Sequence, residues 1–299
     1  MGTIDNEPEA YLKSGSNELK ILEYTIGRLH LGINILKVNR ILDRPEKVSG
    51  TAIGTHKSVI GLFEDHGHII PLVDLGDVMG VKSSTGGKRV IITEFFNEIT
   101  GFLVDAVERV HTLSWDKVRS AEDIMGALEN PYVLAITRPN DKEMVLLLDY
   151  EKVVLELAPE LAQVVVTRKN FDEWSGAGYT ILVAEDSTPV RQMLTMELEE
   201  LGFKVISARD GEEAVALFDE SSEINLVISD VEMPRRDGLS LLGHIRKHPK
   251  RNITPVIIYS SIGDIGMKER ARVMAANGHI TKLEMDSLFE QIRTILEKY

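Results

Sequence analysis

Four short apolar runs in the second half of the chain each end in residues that can do chemistry. Thr180–Ala184 is followed by Glu185 and Asp186, Asn225–Ser229 by Asp230, Thr254–Tyr259 by Ser260, and His279–Thr281 by Lys282. If the runs are strands of one parallel sheet, three carboxylates, a hydroxyl and an ammonium converge at its carboxyl edge. Ligands of doubly wound sheets bind at that edge. Three carboxylates so close cannot all stay ionised without a compensating cation. Mg²⁺ resolves the conflict, because it takes one or two carboxylates together with waters and phosphate oxygens. A carboxylate of such a set can attack phosphorus. A lysine and a hydroxyl then stabilise charge on the transferred oxygens, which is most of what phosphoryl transfer asks of a protein.

The spacing supplies the elements that would hold these groups. Val190–Leu201 carries apolar residues at helical spacing and stops at Gly202. Phe203–Ser207 reads as a strand, and Asp210 as the cap of a helix reaching Phe218. Helices are also expected over Leu239–Ile245, Lys268–Ala276 and Asp286–Leu296. Five strands alternating with five helices imply a parallel sheet covered on both faces. Taken singly, each strand-end residue has a plainer explanation. Asp186 before Ser187–Thr188–Pro189 reads as a helix cap, Lys282 as a surface lysine and Ser260–Ser261 as a turn. Their joint appearance in order is what those readings leave unexplained.

The strings ILVAEDS, LVISDVEMPRRDG, PVIIYSS and GHITK resemble a two-component receiver domain, CheY being the nearest in layout. The likeness covers about 120 residues. It implies Asp230 as phosphoacceptor, Asp186 as the direct metal-binding acid with Glu185 beside it, and the main-chain carbonyl of Glu232 as a metal ligand. Ser260 matches the switch hydroxyl, Lys282 the phosphate-contacting lysine, and His279 the place of the aromatic rotamer switch. Two positions depart from the family. Leu283 stands where proline often follows the lysine, which puts the placing of Lys282 in question. His279 is smaller and more polar than the usual aromatic residue, and histidine titrates near neutrality.

Residues 18–157 follow a different grammar. Leu19–Ile26, His30–Ile41, His68–Leu75, Arg89–Phe96, Gly101–Val110, Tyr132–Thr137 and Met144–Asp149 read as short strands of a barrel or sandwich. Pro71 inside the third run requires an edge or a bulge. No nucleophile elbow, P-loop or HExxH is present. His66 and His68 share a strand face, but a polar hairpin tip explains them better than a metal site. The strings LEYTIGRLHLGINILKVNRIL and VIGLFEDHGHIIPLVDL resemble the CheW-like coupling domain of chemotaxis arrays, and TGFLVDAVERV agrees more loosely. That likeness implies two small five-stranded β-barrels and no enzymatic activity. It matches Val38 and Arg40 to partner-surface strand positions and Gly61 to a sensitive turn glycine. His66 falls where the family usually has arginine, in a string that here reads Glu64–Asp65–His66–Gly67. A lost fixed cation and two gained acids bear on partner specificity.

Composition sets the outer limits. The chain has 299 residues, a net charge of −13 and no cysteine. Disulfides and thiolate chemistry are therefore excluded. Both halves are acidic, −8 over residues 1–160 and −5 over 161–299, which disfavours nucleic-acid binding. No run approaches a membrane span, so no direct membrane insertion is expected. The expected organisation is multidomain: a polar tail (1–17), an all-β CheW-like double barrel (18–158), a linker (159–178), and an α/β doubly wound, flavodoxin-like receiver with a five-stranded parallel sheet (179–299). A CheW-like domain followed by a receiver is the layout of the CheV family. The resemblance implies a cytoplasmic adaptor at the chemoreceptor array that ties receptor tips to the histidine kinase CheA and is modulated by phosphorylation at Asp230. Two other readings stand beside it: a Mg²⁺-dependent aspartyl-phosphate phosphohydrolase with Glu232 as general acid, and a constitutive scaffold whose receiver is not phosphorylated.

Overall fold

Glu18–Ile26 (β1) shows why the first half folds as it does. Successive side chains of a strand point to opposite faces. Leu19 and Ile21 therefore enter one core, with Leu113, Trp115, Val118, Ala135 and Val145, while Tyr24 enters another. There its hydroxyl lies 2.5 Å from that of Tyr150, and Phe95 and Phe102 pack on the Tyr150 ring. A strand apolar on both faces needs cover on both.

The computed structural model describes residues 18–50, 56–121, 130–140, 143–159, 174–261, 271–272 and 274–298. They divide into two compact units, one within Leu19–Ala162 and one within Gln163–Tyr299. The expected polar tail, most of the expected linker, and residues 268–270 and 273 of the helix expected over Lys268–Ala276 lie outside the described residues.

After β1 the first unit runs β2 (Leu29–Asn34), β3 (Val38–Asp43), β4 (Val59–Asp65), β5 (His68–Asp74), α1 (Leu75–Met79), β6 (Arg89–Phe95), β7 (Glu98–Val104) and β8 (Ala106–Ser114). It ends with β9 (Val118–Ser120), β10 (Val133–Thr137), β11 (Val145–Leu148) and α2 (Tyr150–Leu157). Two sheets result, in the orders β8-β1-β2-β11-β10-β9 and β3-β6-β7-β5-β4. The second has the five strands expected; the first has one more, with the three-residue β9 at its edge.

Two runs that read as single strands are each divided between the sheets. Within His30–Ile41 the one-turn 3₁₀ helix Ile35–Lys37 intervenes, its start capped by Asn34, whose side chain accepts from the Leu36 N–H at 3.0 Å. Within Gly101–Val110 the chain crosses at buried Asp105. Burial works to raise the pKa of Asp105. Donation from Ser83, Gly27, Ser84 and Thr85 outweighs it and holds the carboxyl well below the usual carboxylate range. The crossing is thus pinned by a carboxylate that satisfies otherwise unpaired loop donors. Pro71 also differs from expectation, because β5 is an interior strand. It is tolerated since β7 pairs with β5 only from Leu72 onward, leaving Pro71 with β4 alone as a strand neighbour.

The second unit alternates β12 (Thr180–Ala184), α3 (Thr188–Glu200), β13 (Lys204–Ala208), α4 (Gly211–Glu220), β14 (Ile224–Ser229), α5 (Gly238–Lys247), β15 (Val256–Ser260), β16 (Gly278–Thr281) and α6 (Met285–Leu296). All strand pairs are parallel, in the order β13-β12-β14-β15-β16. Buried Leu182, Val227 and Ile258 on the sheet pack with Phe218, Leu241 and Ile245 of the helices. Asp210 caps α4 through the N–H groups of Glu212 and Glu213, and Asp237 caps α5 through that of Ser240. These capped helices fix where each strand must end.

Candidate functional site

The ends of β12, β14, β15 and β16 bring the expected residues together. Asp230 is tied to the first strand by its N–H, which donates to the Ala184 carbonyl at 2.9 Å. Glu185, Asp230, Ser260 and Lys282 are buried, and Asp186 is half-buried. The Lys282 ammonium, with no exposed side-chain surface, lies between two carboxylates. Its Nζ donates to Glu185 Oε1 at 2.9 Å and to Asp230 Oδ2 at 3.0 Å, and its charge also lies 2.8 Å from Glu185 Oε2. Asp230 Oδ1 accepts from the Val231 N–H at 2.6 Å. Carboxylate oxygens of Glu185, Asp186 and Asp230 all lie within 4.8 Å of one another.

Charge counting then tests the cation that this set implies. One ammonium balances one of three carboxylates, and a divalent ion balances the other two. An all-oxygen donor set opening through half-buried Asp186 suits a hard cation that keeps waters, so these residues fit Mg²⁺. Glu232 stands two residues past Asp230 in the same loop and is half-buried. His279 lies half-buried on β16, in register with Ile258 of β15.

Leucine after the lysine does not pull Lys282 away. Leu283 adopts the left-handed region, φ 70°, and its N–H donates to the hydroxyl of buried Tyr259 at 2.8 Å. A proline there would have no N–H to give. The Lys282 N–H meanwhile donates to the Ser260 carbonyl at 3.0 Å. Tyr259 and Ser260 thus grip both residues of the turn. Tyr259→Phe should cost the second unit about 1–3 kcal/mol, the range for stranding a donor as it leaves water. Urea unfolding of that unit reads the effect.

Three further residues position the site, and the sequence marked one of them. Arg191 of α3 donates to the main-chain carbonyls of Glu185 at 2.7 Å and Asp186 at 3.2 Å, fixing the acid pair from behind. Arg235 pairs with Asp210 and joins the loop after Asp230 to the cap of α4. Gly238 passes so close that a Cβ would fall 1.9 Å from the Asp230 carbonyl oxygen. Only this last had a visible signal, the Asp237–Gly238 pair ahead of a helix.

In the first unit the four expected partner-surface residues are spread out. Val38 and Arg40 are half-buried on β3, at one edge of the second sheet. Arg40 forms an ion pair with Asp65 at the end of β4, the opposite edge strand. Ser49 bridges to Leu62 of β4, and Gly61 lies buried within that strand rather than in a turn. A Cβ on Gly61 would stand 2.1 Å from the Ser49 carbonyl oxygen. His66 is exposed at the hairpin tip with φ 48°.

Comparison with known proteins draws the two units together. Residues 20–157 match the model of the CheW-like domain and residues 181–293 that of the response regulator receiver domain. Chemotaxis protein CheV3 of Helicobacter pylori is 33% identical over 282 residues, covering 89% of this chain and 88% of its own length. The chain belongs to the CheV family. Chemotaxis protein CheV2 of the same organism is 26% identical over 280 residues, 89% of each chain. Among solved structures, the scaffolding protein TtCheW of Thermoanaerobacter tengcongensis aligns with 44% of this chain and 88% of its own, at 23% identity and a TM-score of 0.38. Among the described residues no helix is long and apolar enough to cross a membrane. Against the CheV background, the acidic turn is partly accounted for within the chain. Asp65 is matched by Arg40, so the added acid ties the two edge strands of one sheet.

Proposed function

We propose that this CheV-family chain is an adaptor that couples chemoreceptor tips to the histidine kinase CheA in the cytoplasmic array, and that Asp230 accepts a phosphoryl group from the kinase. The observation that carries the reading is the buried Glu185–Lys282–Asp230 bridge, with Asp186 beside it, in a chain that also holds a CheW-like domain. Lys282 reaching both carboxylates favours an accepting receiver over a constitutive scaffold. Neither matched domain is a hydrolase, so turnover of an external phosphate ester is not part of the proposal.

In the transfer, a carboxylate oxygen of Asp230 forms a bond to phosphorus. The bond from phosphorus to the donor imidazole breaks, and its electron pair leaves with the imidazole. Glu185, Asp186, Asp230 and the Glu232 main-chain carbonyl would hold Mg²⁺. Bound there, the ion would neutralise charge on the phosphoryl oxygens. Lys282 stabilises the same oxygens from the protein side, and the Ser260 hydroxyl donates to one of them. The acyl phosphate carries about −1.5 to −2 charges where the carboxylate carried one, beside an ammonium now shared between Glu185 and Asp230. Lys282 and Ser260 reorganise around it. His279, on the strand between them, carries the change toward the surface of β16 and α6 and so biases how the coupling domain engages the array. Val38 and Arg40 on β3 contact the partners, together with His66 at the hairpin tip that the Arg40–Asp65 ion pair ties to β3, and Gly61 keeps β4 close to Ser49.

The coupling role is tested by binding. The full chain is expected to be retained by immobilised receptor tips and, separately, by CheA. Failure to bind either partner overturns the adaptor reading.

A further inference from the structure

A carboxylate is out of place where Glu23 sits. Residue alternation puts it on the face of β1 that carries Leu19 and Ile21 into the first sheet's core, and its side chain is only 4% exposed. A buried carboxylate must be paired or ligated. Two imidazoles flank it. His30 of β2 places Nδ1 2.7 Å from Oε1, and His111 of β8 places Nε2 2.5 Å from Oε2. Glu143, just ahead of β11, brings a second carboxylate to 3.8 Å from His30 Nδ1. Arg109 of β8 stands 3.6 Å from Oε2, on the His111 side. The strand order β8-β1-β2-β11 assembles all five.

We propose that Glu23, His30 and Glu143 form a binding site for a divalent transition-metal ion of the zinc class, with His111 holding Glu23 from outside. One ligand atom from each of the three lies within 4.8 Å of the other two. Ligands of a tetrahedral zinc ion stand roughly 3.3 Å apart for bonds of about 2.0–2.1 Å. The separations of 2.7 and 3.8 Å fall on either side of that spacing, and the two carboxylates lie within 4.8 Å of each other, so rotations of exposed Glu143 and half-buried His30 bring the three onto one ion.

The donor chemistry selects the ion class. An imidazole nitrogen with two carboxylates suits zinc and its neighbours, whereas Mg²⁺ prefers oxygen ligands and retained water. This separates the site from the acid cluster of the receiver. Ligating carboxylates are themselves hydrogen-bonded in such centres, and His111 supplies that contact on the oxygen turned away from His30. Access is open, since His30 is 29% and Glu143 62% exposed, which leaves room for entry and for a water as further ligand. Charge also favours the ion. With neutral imidazoles, Glu23 and Glu143 carry two negative charges against one from Arg109. The competing occupant of the His30 Nδ1 position is a proton, which metal binding would displace.

The test is a titration of the full-length protein with Co²⁺ in excess Mg²⁺, so that the receiver cluster is already filled. One equivalent should bind, with the intense visible absorption of a four- or five-coordinate site, and Zn²⁺ should displace it. His30→Ala should abolish the absorption. Glu143→Ala should weaken binding about tenfold or more; this residue is exposed, so the fold is not at risk, and far-ultraviolet circular dichroism checks it. His111→Asn should weaken binding about 10–100-fold, the usual effect of losing an outer partner. A Co²⁺ spectrum unchanged in His30→Ala and Glu143→Ala overturns the proposal. So does a protein that binds no Co²⁺ or Zn²⁺ while His30 and His111 titrate identically with and without metal, because the cluster is then a proton site only.

Discussion

Asp230→Asn should abolish phosphoryl uptake while leaving the receiver folded. The amide keeps the shape of the carboxylate but removes the charged oxygen that must form the bond to phosphorus. Lys282 keeps Glu185 as a partner at 2.8 Å, so no buried ammonium is stranded. The Val231 N–H can still donate to the side-chain oxygen it now meets at 2.6 Å. One of three mutually repelling acids is gone, so without Mg²⁺ the variant should unfold at the same or higher urea concentration than the wild type. Intact mass after incubation with Mg²⁺ and a small phosphodonor, or with phosphorylated CheA, reads the result. Wild type gains one phosphoryl group and Asp230→Asn gains none. Equal labelling of the two would place the acceptor elsewhere and remove the basis for the proposed switch.

The receiver half was readable from sequence because βα alternation does two things together. It sets the sheet order, and it delivers each strand-end residue to the same edge. Glu185, Asp230, Ser260 and Lys282 are therefore brought together by the sequence pattern alone. The residues that hold them were less legible, for a physical reason. Tyr259 acts across 24 positions on the Leu283 N–H, and nothing in a strand of apolar residues marks which one reaches a neighbouring turn. The coupling half was harder still. A strand that serves one sheet and a strand that serves the next look alike in sequence, so His30–Ile41 and Gly101–Val110 each read as one element. The breaks depend on local polar contacts at Asn34 and Asp105. The helix α2 did leave a signal that went unused: Asp149 ahead of an apolar helical pattern, its side chain accepting from the Lys152 N–H at 2.9 Å. The Glu23 cluster left none, since its histidines lie 7 and 88 residues away along the chain.

Lys282→Met should show how far the acid cluster depends on its ammonium. Methionine matches the length and volume of the lysine stem, so the substitution removes charge without opening a large cavity. Glu185 and Asp230 are then left buried with no cation between them. Breaking a buried ion pair by deleting one partner typically costs about 3–5 kcal/mol, because the other charge stays desolvated and unpaired. Here two carboxylates share the one ammonium, at 2.8 and 3.0 Å, so the loss should fall in that range in the presence of a chelator. Mg²⁺ should restore part of it. A ligand that binds only the folded state stabilises that state by an amount that grows with the logarithm of its concentration over its dissociation constant, and in the variant the ion replaces the charge that Lys282 gave to both carboxylates. The gain on adding Mg²⁺ should therefore be larger in Lys282→Met than in wild type, while phosphoryl uptake falls in the variant even at saturating Mg²⁺. Urea unfolding of the receiver transition in chelator and in Mg²⁺ gives the four stabilities needed. A loss below about 1 kcal/mol, with the same Mg²⁺ gain in both proteins, would mean that the carboxylates already share a proton and that Lys282 is not the charge that holds them.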